Sequence, residues 1–263
     1  MTRPSTRERT DYTRLFRLDG LRVVVIGAGS GIGRESALAL AAHGATVVCA
    51  DRDLDAATAT ASTFGGDVYR LDLLDRAAVR AAPAELGDVD VLVFTPATNV
   101  RRRLADYSDA EYDLIADLNL RASFDLLRAF GPAMAARGRG SIIGFTSIRA
   151  VTVEPGQGIY SAMKAGMVAL LRTAAAELGP HGVRVNAIAP GVVDTPMTTD
   201  IVSDAARYAA YAARNALGRW ARPEELTGAV VYLASDAASY VTAGVLTVDG
   251  GWTAIDGRYE PPE

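Results

Sequence analysis

The chain of 263 residues is predicted to fold as an α/β protein, a single doubly wound domain with a seven-stranded parallel sheet and helices on both faces. From Leu18 onward, short β-branched runs alternate with longer stretches rich in Ala and Leu that have helical period. Hydrophobic residues make up 49% and charged residues 22%, which excludes a disordered or collagen-like chain. No repeat or linker divides residues 18–263, and the polar, arginine-rich residues 1–17 are expected to form a disordered arm.

Seven apolar runs have the length and continuity of strands that are buried on both faces. They are residues 22–26, 46–50, 67–71, 89–95, 141–146, 184–189 and 245–248. Helices are predicted between them, and these include residues 33–43, 53–63, 109–135 and 159–178. Gly44 and Gly65 follow two of these helices as C-caps, and Ser108 with Glu111 forms a capping box before a third.

The charge balance and the rare residue types limit the partners that we expect. Lys and Arg number 27 against 31 Asp and Glu, a formal net charge of −4, which favours neither nucleic acid nor an anionic membrane. The single cysteine, Cys49, lies in an apolar run, and His43 and His181 each precede a glycine at a helix end, so no metal site is expected. The beginning of the chain has no apolar signal segment, and we expect a cytoplasmic location.

A cluster of glycines follows the first predicted strand and opens the first predicted helix. The sequence here is Gly27-Ala-Gly-Ser-Gly-Ile-Gly33, which lets the backbone turn sharply and approach a pyrophosphate at a helix N-terminus. The second strand leads to Asp51, 20 residues after Gly31, where a carboxylate can accept a hydrogen bond from a ribose 2′-OH. Together these features predict a Rossmann-type dinucleotide site.

A tyrosine and a lysine lie four residues apart in a predicted helix. Tyr160 and Lys164 therefore share one helix face, where the ammonium group can stabilise a phenolate and lower the tyrosine pKa from its usual value near 10. Such a tyrosine could transfer protons. Taken singly, a Tyr/Lys pair at this spacing is more often a solvated helix face.

The spacing Gly27-x-x-x-Gly31-x-Gly33 and the motif Tyr160-x-x-x-Lys164 resemble those of the short-chain dehydrogenase/reductase family, over residues 18 to about 252. Ser147 precedes the tyrosine by 13 residues, as the family's serine does. The resemblance implies that Tyr160 exchanges a proton with the substrate oxygen and that Ser147 hydrogen-bonds that oxygen. It further implies that Lys164 holds the nicotinamide ribose and that Asn119, in Asp-Leu-Asn-Leu, positions a water in a proton relay.

The resemblance also implies a set of residues that bind a nicotinamide dinucleotide. They are Gly27, Ser30, Gly31, Ile32, Gly33, Asp51, Arg52, Asp72, Leu73, Thr95, Tyr160, Lys164, Val193 and Thr195. Asp51 favours NAD because its carboxylate would repel a 2′-phosphate, whereas Arg52 beside it could attract that phosphate.

Two departures from the family pattern occur together. The first turn has Ile26-Gly27 in place of Thr-Gly, and the segment after the fourth strand is Phe94-Thr-Pro-Ala97 in place of Asn-Asn-Ala-Gly. We expect an apolar contact between Ile26 and Phe94 to replace the polar bridge that the family has there, because a balanced loss leaves no buried polar group unpaired. Cofactor binding should then survive, with Thr95 near the adenosine ribose.

The sequence indicates less about the substrate than about the cofactor. Arg149, Glu154 and Gln157 lie between Ser147 and the helix of Tyr160 and are predicted to border the substrate, while residues 197–219 are predicted to cover the site. Arg101 and its two arginine neighbours are consistent with an acidic substrate. Their segment faintly resembles the gluconate-type sugar dehydrogenases of the family.

The sequence therefore predicts an oxidoreductase that transfers a hydride between NAD and a secondary alcohol or ketone, with a polyol or a sugar acid as substrate. One alternative is an NADPH-dependent carbonyl or 3-oxoacyl reductase. Another is a catalytically silent dinucleotide-binding sensor or scaffold. The resemblance also implies a homotetramer.

Overall fold

The computed structural model describes residues 11–256, and its strands form one parallel sheet in the order β3-β2-β1-β4-β5-β6-β7. The strands are β1 (Arg22–Ile26), β2 (Thr46–Asp51), β3 (Asp67–Arg70), β4 (Val91–Phe94), β5 (Gly140–Phe145), β6 (Val183–Pro190) and β7 (Val245–Val248). The predicted seven-stranded parallel sheet is confirmed. The strand order reverses between β1 and β4, and this reversal opens a crevice beyond the carboxyl ends of the strands.

The α-helices cover both faces of this sheet. They are α1 (Gly31–Ala42), α2 (Leu54–Ala61), α3 (Arg76–Leu86), α4 (Asp109–Ala116), α5 (Ala122–Arg137), α6 (Gly158–Leu178), α7 (Thr199–Val202), α8 (Ala205–Ala212) and α9 (Thr227–Ala234). Val24 and Ile26 point into the core beneath α3, α5 and α6, whereas Val23 and Val25 point into the core beneath α1, α2 and α9. Successive strand side chains alternate between faces, so every position of a doubly covered strand must be apolar.

The helix predicted over residues 109–135 is interrupted. The capping box of Ser108 and Glu111 begins α4 as expected, but a π-helical stretch, Asp117–Arg121, separates α4 from α5. The Ala122 N–H donates to the Asp117 carbonyl, five residues earlier. One extra residue in the turn shifts the side chains that follow, and such bulges are frequent at functional sites. Asn119 lies inside this stretch.

The beginning of the described chain differs from the predicted arm. Tyr12–Arg14 forms a single 3-10 turn, the Leu15 carbonyl accepts a hydrogen bond from the Ala237 N–H, and Phe16 packs near Tyr232. Residues 11–17 are therefore held against the domain by backbone and aromatic contacts. The rest of the predicted arm, residues 1–10, lies outside the described residues. Within residues 11–256, no helix has the length and hydropathy needed to cross a bilayer.

Candidate active site

A cleft lies at the carboxyl ends of the strands, where the strand order reverses. All of the residues predicted to bind the dinucleotide line it, together with Ser147. The cleft also contains residues that were not predicted as site residues from the sequence, among them Thr98, Phe145 and Thr146. Each of these follows or ends a central strand, which is the one signal that could have identified them.

The glycine turn at the start of the cleft has a backbone that only glycine fits. Gly27 has φ +88°, in the left-handed region, and a Cβ on Gly33 would lie 2.0 Å from the Gly27 carbonyl oxygen. Ser30 occupies the N-cap position of α1, but its side chain caps no N–H group. The first N–H groups of α1 therefore remain available for an anion in the cleft.

Asp51 ends β2 at the same edge of the cleft. Its Oδ2 accepts from the Gly29 N–H at 2.9 Å, and its Oδ1 accepts from the Asp53 N–H at 3.0 Å. A Cβ on Gly29 would lie 2.9 Å from Oδ2, so the glycine turn and the carboxylate fit together only without a side chain there. These contacts fix the carboxylate beside the turn.

The segment after β4 keeps a polar link to the glycine turn, contrary to the expected replacement. Ile26 and Phe94 are paired in register and share one core, as predicted. The Thr95 hydroxyl nevertheless donates to the Ile26 carbonyl at 3.2 Å. The expected loss of the polar bridge is therefore wrong, because a hydroxyl supplied by the β4 side takes its place.

Ser147, Tyr160 and Lys164 meet at the opposite end of the cleft from the strand edge of Asp51. Tyr160 and Lys164 lie on one face of α6, and the lysine Nζ lies 5.7 Å from the tyrosine ring centroid. Nζ also donates to the Phe145 carbonyl at 2.8 Å, and the lysine is only 2% exposed. Ser147 Oγ accepts from the Arg149 N–H at 3.1 Å, which leaves the hydroxyl hydrogen free to be donated into the cleft.

Burial dominates the ionisation of both α6 groups. It raises the pKa of Tyr160, opposed by the Ser147 side chain and by the positive charges of Arg149 and Arg101. Burial lowers the pKa of Lys164 to about 7. The expected net lowering of the tyrosine pKa by Lys164 is therefore wrong for the protein by itself, because the lysine's own charge is destabilised by the same low-dielectric environment.

Asn119 lies behind the cleft rather than in its wall. Its Nδ2 donates to the Thr98 carbonyl at 2.8 Å and to the Ile115 carbonyl at 2.9 Å, and Thr98 does line the cleft. Its Oδ1 is buried and has no hydrogen-bond partner among the described residues. A buried acceptor of this kind is suited to an ordered water.

The three residues predicted to border the substrate do not line the cleft among the described residues. The buried Arg149 forms an ion pair with Glu154, and the Arg149 guanidinium lies 5.5 Å from the Trp252 ring centroid. Gln157 is buried and accepts a hydrogen bond from Asn99 at 2.8 Å. Their side chains are thus bound to other side chains of the protein.

Residues 194–220 form a segment that leaves the sheet after β6 and returns to it, which we call the cap segment. Its ends are joined by a bridge between Val193 and Ala221. It contains α7 and α8, and its residues Pro196, Met197 and Thr198 line the cleft. The predicted covering segment, 197–219, falls within it. Across residues 11–256, no three His, Cys, Asp or Glu side chains are grouped so that they could hold a metal ion.

Comparison with known proteins gives a consistent family assignment. The family model described as Enoyl-(Acyl carrier protein) reductase matches residues 27–253. The 3-oxoacyl-acyl-carrier-protein reductase of Thermotoga maritima is 35% identical over 245 residues, covering 90% of this chain and 99% of that protein. The galactitol 2-dehydrogenase of Cereibacter sphaeroides is 38% identical over 251 residues, covering 92% and 99%. Among solved structures, a gluconate 5-dehydrogenase from Burkholderia cenocepacia in complex with NADP and tartrate has a TM-score of 0.88 and 33% identity, covering 92% of this chain and 98% of that one.

Proposed function

Because this chain belongs to the short-chain dehydrogenase/reductase family and is an NAD(P)-dependent oxidoreductase acting on CH-OH groups, we propose that it interconverts a polyol or sugar acid and the corresponding ketone. The observation that carries this proposal is one cleft with two ends of different chemistry. The glycine turn and Asp51 line one end, and Ser147, Tyr160 and Lys164 line the other.

The cleft fits a nicotinamide dinucleotide. Its pyrophosphate would lie against the uncapped N-terminus of α1, where a Cβ on Gly33 would collide with the backbone. Asp51 would accept from the adenosine ribose near Thr95, and Val193 and Thr195 would hold the nicotinamide carboxamide. When bound, the cofactor supplies the carbon that accepts or gives the hydride.

Ser147, Tyr160 and Lys164 handle the proton. In alcohol oxidation, the ionised form of Tyr160 takes the hydroxyl proton on Oη and becomes the neutral phenol, while the Ser147 hydroxyl donates to the same substrate oxygen. The Arg149 N–H already occupies Ser147 Oγ as an acceptor, which favours this donor role. When protonated, Lys164 places a positive charge near the phenol, and a water on the unpartnered Oδ1 of Asn119 would carry the proton onward.

NAD is the cofactor we propose. Asp51 supports this choice because its carboxylate is fixed beside the glycine turn by two N–H groups, where a 2′-phosphate would meet a negative charge. NADP is the second candidate, since the Burkholderia enzyme was solved in complex with it and Arg52 lines the cleft beside Asp51. Asp51 and Arg52 therefore act in opposite directions on a 2′-phosphate.

The charge near the reacting end supports an acidic substrate. Arg101 and Arg149 both act on the Tyr160 phenol, and Arg149 is already neutralised by Glu154. Arg101 is exposed and has no carboxylate within ion-pair distance among residues 11–256, so it remains available to a substrate carboxylate. A 3-oxoacyl thioester is the second candidate, because the Thermotoga protein carries that name.

A fluorescence titration of the purified protein with NADH and, separately, NADPH tests the cofactor choice. Tighter binding of NADH supports NAD as the cofactor, and tighter binding of NADPH would favour NADP instead. The preferred cofactor is then used with a panel of polyols, sugar acids and 3-oxoacyl thioesters. Binding of neither cofactor would instead support a silent scaffold.

The homotetramer and the cytoplasmic location stay predictions that rest on the family and on the sequence. Analytical ultracentrifugation of the full chain measures the first, and fractionation of the source cells measures the second.

A further inference from the structure

The cap segment is folded mostly on itself. Ile201, Ala212 and Trp220 form a small buried cluster within it, and the Trp220 indole N–H donates to the Tyr208 carbonyl at 3.0 Å. The Val193 to Ala221 bridge holds its two ends together. Its contacts with the rest of the domain include the ion pair of Arg219 with Glu225 and the hydrogen bond from the Leu217 N–H to the Gly250 carbonyl at 3.3 Å.

Tyr211 makes the contact that reaches the chain beside the catalytic serine. Its hydroxyl donates to Glu154 Oε1, and its ring lies 5.6 Å from that of Trp220 and 6.0 Å from that of Trp252. Among residues 11–256, this is the side-chain hydrogen bond that joins the cap segment to the chain between Ser147 and Tyr160. Burial and the bond to Glu154 both raise the pKa of Tyr211, so the hydroxyl stays a donor.

Glu154 carries this contact to the catalytic serine. Its second oxygen, Oε2, pairs with the guanidinium of Arg149, a residue that is 7% exposed. The same Arg149 gives its backbone N–H to Ser147 Oγ at 3.1 Å. One arginine therefore fixes the serine through its backbone and meets the cap segment through its side chain.

We propose that Arg149, Glu154 and Tyr211 form a clamp that couples the position of the cap segment to the orientation of the Ser147 hydroxyl. These are positioning residues for the reaction, and the inference rests on the proposed function only for its effect on rate. The clamp gives a role to Arg149 and Glu154, which do not line the cleft and neutralise each other's charge. The Ser147 hydroxyl keeps its catalytic orientation while the bond from Tyr211 to Glu154 is made.

Tyr211→Phe is the central test, because it removes one hydroxyl and keeps the aromatic packing. Hydrogen–deuterium exchange of the wild type and the variant, without cofactor or substrate, is followed in peptides from residues 199–212 and 148–154. The lost bond to a charged partner should speed exchange in both peptides by about tenfold. Arg214→Met is the matched control, since Arg214 lies 5.5 Å from the same Trp252 ring but has no hydrogen bond to Glu154.

Faster exchange in the cap segment alone would overturn the coupling, and unchanged exchange in both peptides would overturn the clamp. Both outcomes are independent of catalysis, so they are distinct from a failure of the proposed function. With an active substrate, Tyr211→Phe and Glu154→Gln should lower kcat by roughly tenfold, while KM for the cofactor changes less than about twofold. An equal loss of kcat in Arg214→Met would show that any loosening of the cap segment slows the reaction, and it would overturn the clamp.

The pH dependence of the alcohol-oxidation rate distinguishes residues that act on the catalytic groups from residues that only stabilise the fold. The charged groups facing the Tyr160 phenol are Arg149 beside Ser147, Arg101 after β4, and Lys164 on α6. Arg149→Met removes the arginine charge and leaves the Glu154 carboxylate without its partner, so the pH at which alcohol oxidation becomes half-maximal should move upward. Arg149→Lys should restore this midpoint, and Tyr211→Phe should leave it unchanged. A midpoint that is the same in Arg149→Met and the wild type would exclude the electrostatic link from Arg149 to Tyr160.

Discussion

The glycine turn and the cap segment border the same cleft but are held by different kinds of interaction. The turn depends on backbone geometry within a short stretch: a positive φ at Gly27, a close approach at Gly33, and N–H groups that bind Asp51. The cap segment depends on side chains far apart in the sequence, such as Tyr211 and Glu154. Local backbone requirements restrict residue types directly, whereas distant side-chain partners leave no pattern in a single sequence.

Replacing the Tyr160 hydroxyl should separate the reactive end of the cleft, which the cap segment borders, from the glycine turn. Tyr160→Phe is expected to lower kcat by about a thousandfold, because proton transfer by a placed side chain is commonly worth that much. NADH affinity, which depends mainly on the glycine turn, should change by no more than about twofold. Steady-state rates and a fluorescence titration measure both. A variant that retains a substantial part of the wild-type rate would show that the reaction does not use this hydroxyl.

The buried lysine sets a pH dependence of stability at the reactive end of the cleft. The pKa of Lys164 in the folded protein, near 7, lies below the ordinary lysine value of 10.5, so the unfolded chain binds more protons between these values. The free energy of unfolding should therefore rise with pH through this window, and the gain is lost as the pH falls to 7. Urea unfolding near pH 7 and near pH 9 should differ by about 2 kcal/mol more in the wild type than in Lys164→Met. Identical pH dependence in the two proteins would mean that Lys164 is hydrated in solution.

Removing the carboxylate beside the glycine turn tests the end of the cleft opposite to Tyr160 and Lys164. Asp51→Ala should weaken NADH binding by about tenfold, because a hydrogen bond to a charged group is lost. NADPH binding should weaken less or improve. Asp55→Ala, at the start of α2, is the matched control because its exposed carboxylate does not line the cleft in the described residues. An unchanged ratio of the two affinities in Asp51→Ala would argue against a contact with the 2′ position.

The smallest effect concerns the hydroxyl that links β4 to the turn. Thr95→Val removes the hydrogen bond to the Ile26 carbonyl with little change of volume and should lower the free energy of unfolding by about 1 kcal/mol. Thr58→Val, which removes an exposed hydroxyl bond within α2, should change it by less than about 0.5 kcal/mol. Equal values for the two variants in urea unfolding would show that backbone geometry alone holds the turn.

The central strands were predictable because both of their faces are buried, whereas the expected burial is wrong for β3, which lies at the sheet edge and is largely exposed. A strand such as β1 must be apolar at every position, and its bounds were predicted without error. The π-helical stretch around Asn119 was not predictable, since one extra residue in a turn costs little and leaves the amphipathic pattern nearly intact. The contacts of residues 11–17 were also missed, because polar and arginine-rich composition conceals the single backbone bond from Ala237 to Leu15.

The sequence by itself determined the parallel sheet, the glycine turn, and the arrangement of Tyr160 and Lys164 on one helix face. Each follows from a local rule: burial on two faces, a φ that only glycine adopts readily, or a spacing of four residues in a helix. Only the tertiary structure decided that Thr95 restores a polar link to the turn and that Arg149 is neutralised by Glu154. Those outcomes depend on which groups meet after the chain has folded, and burial then sets the ionisation of Tyr160 and Lys164 more strongly than their mutual spacing.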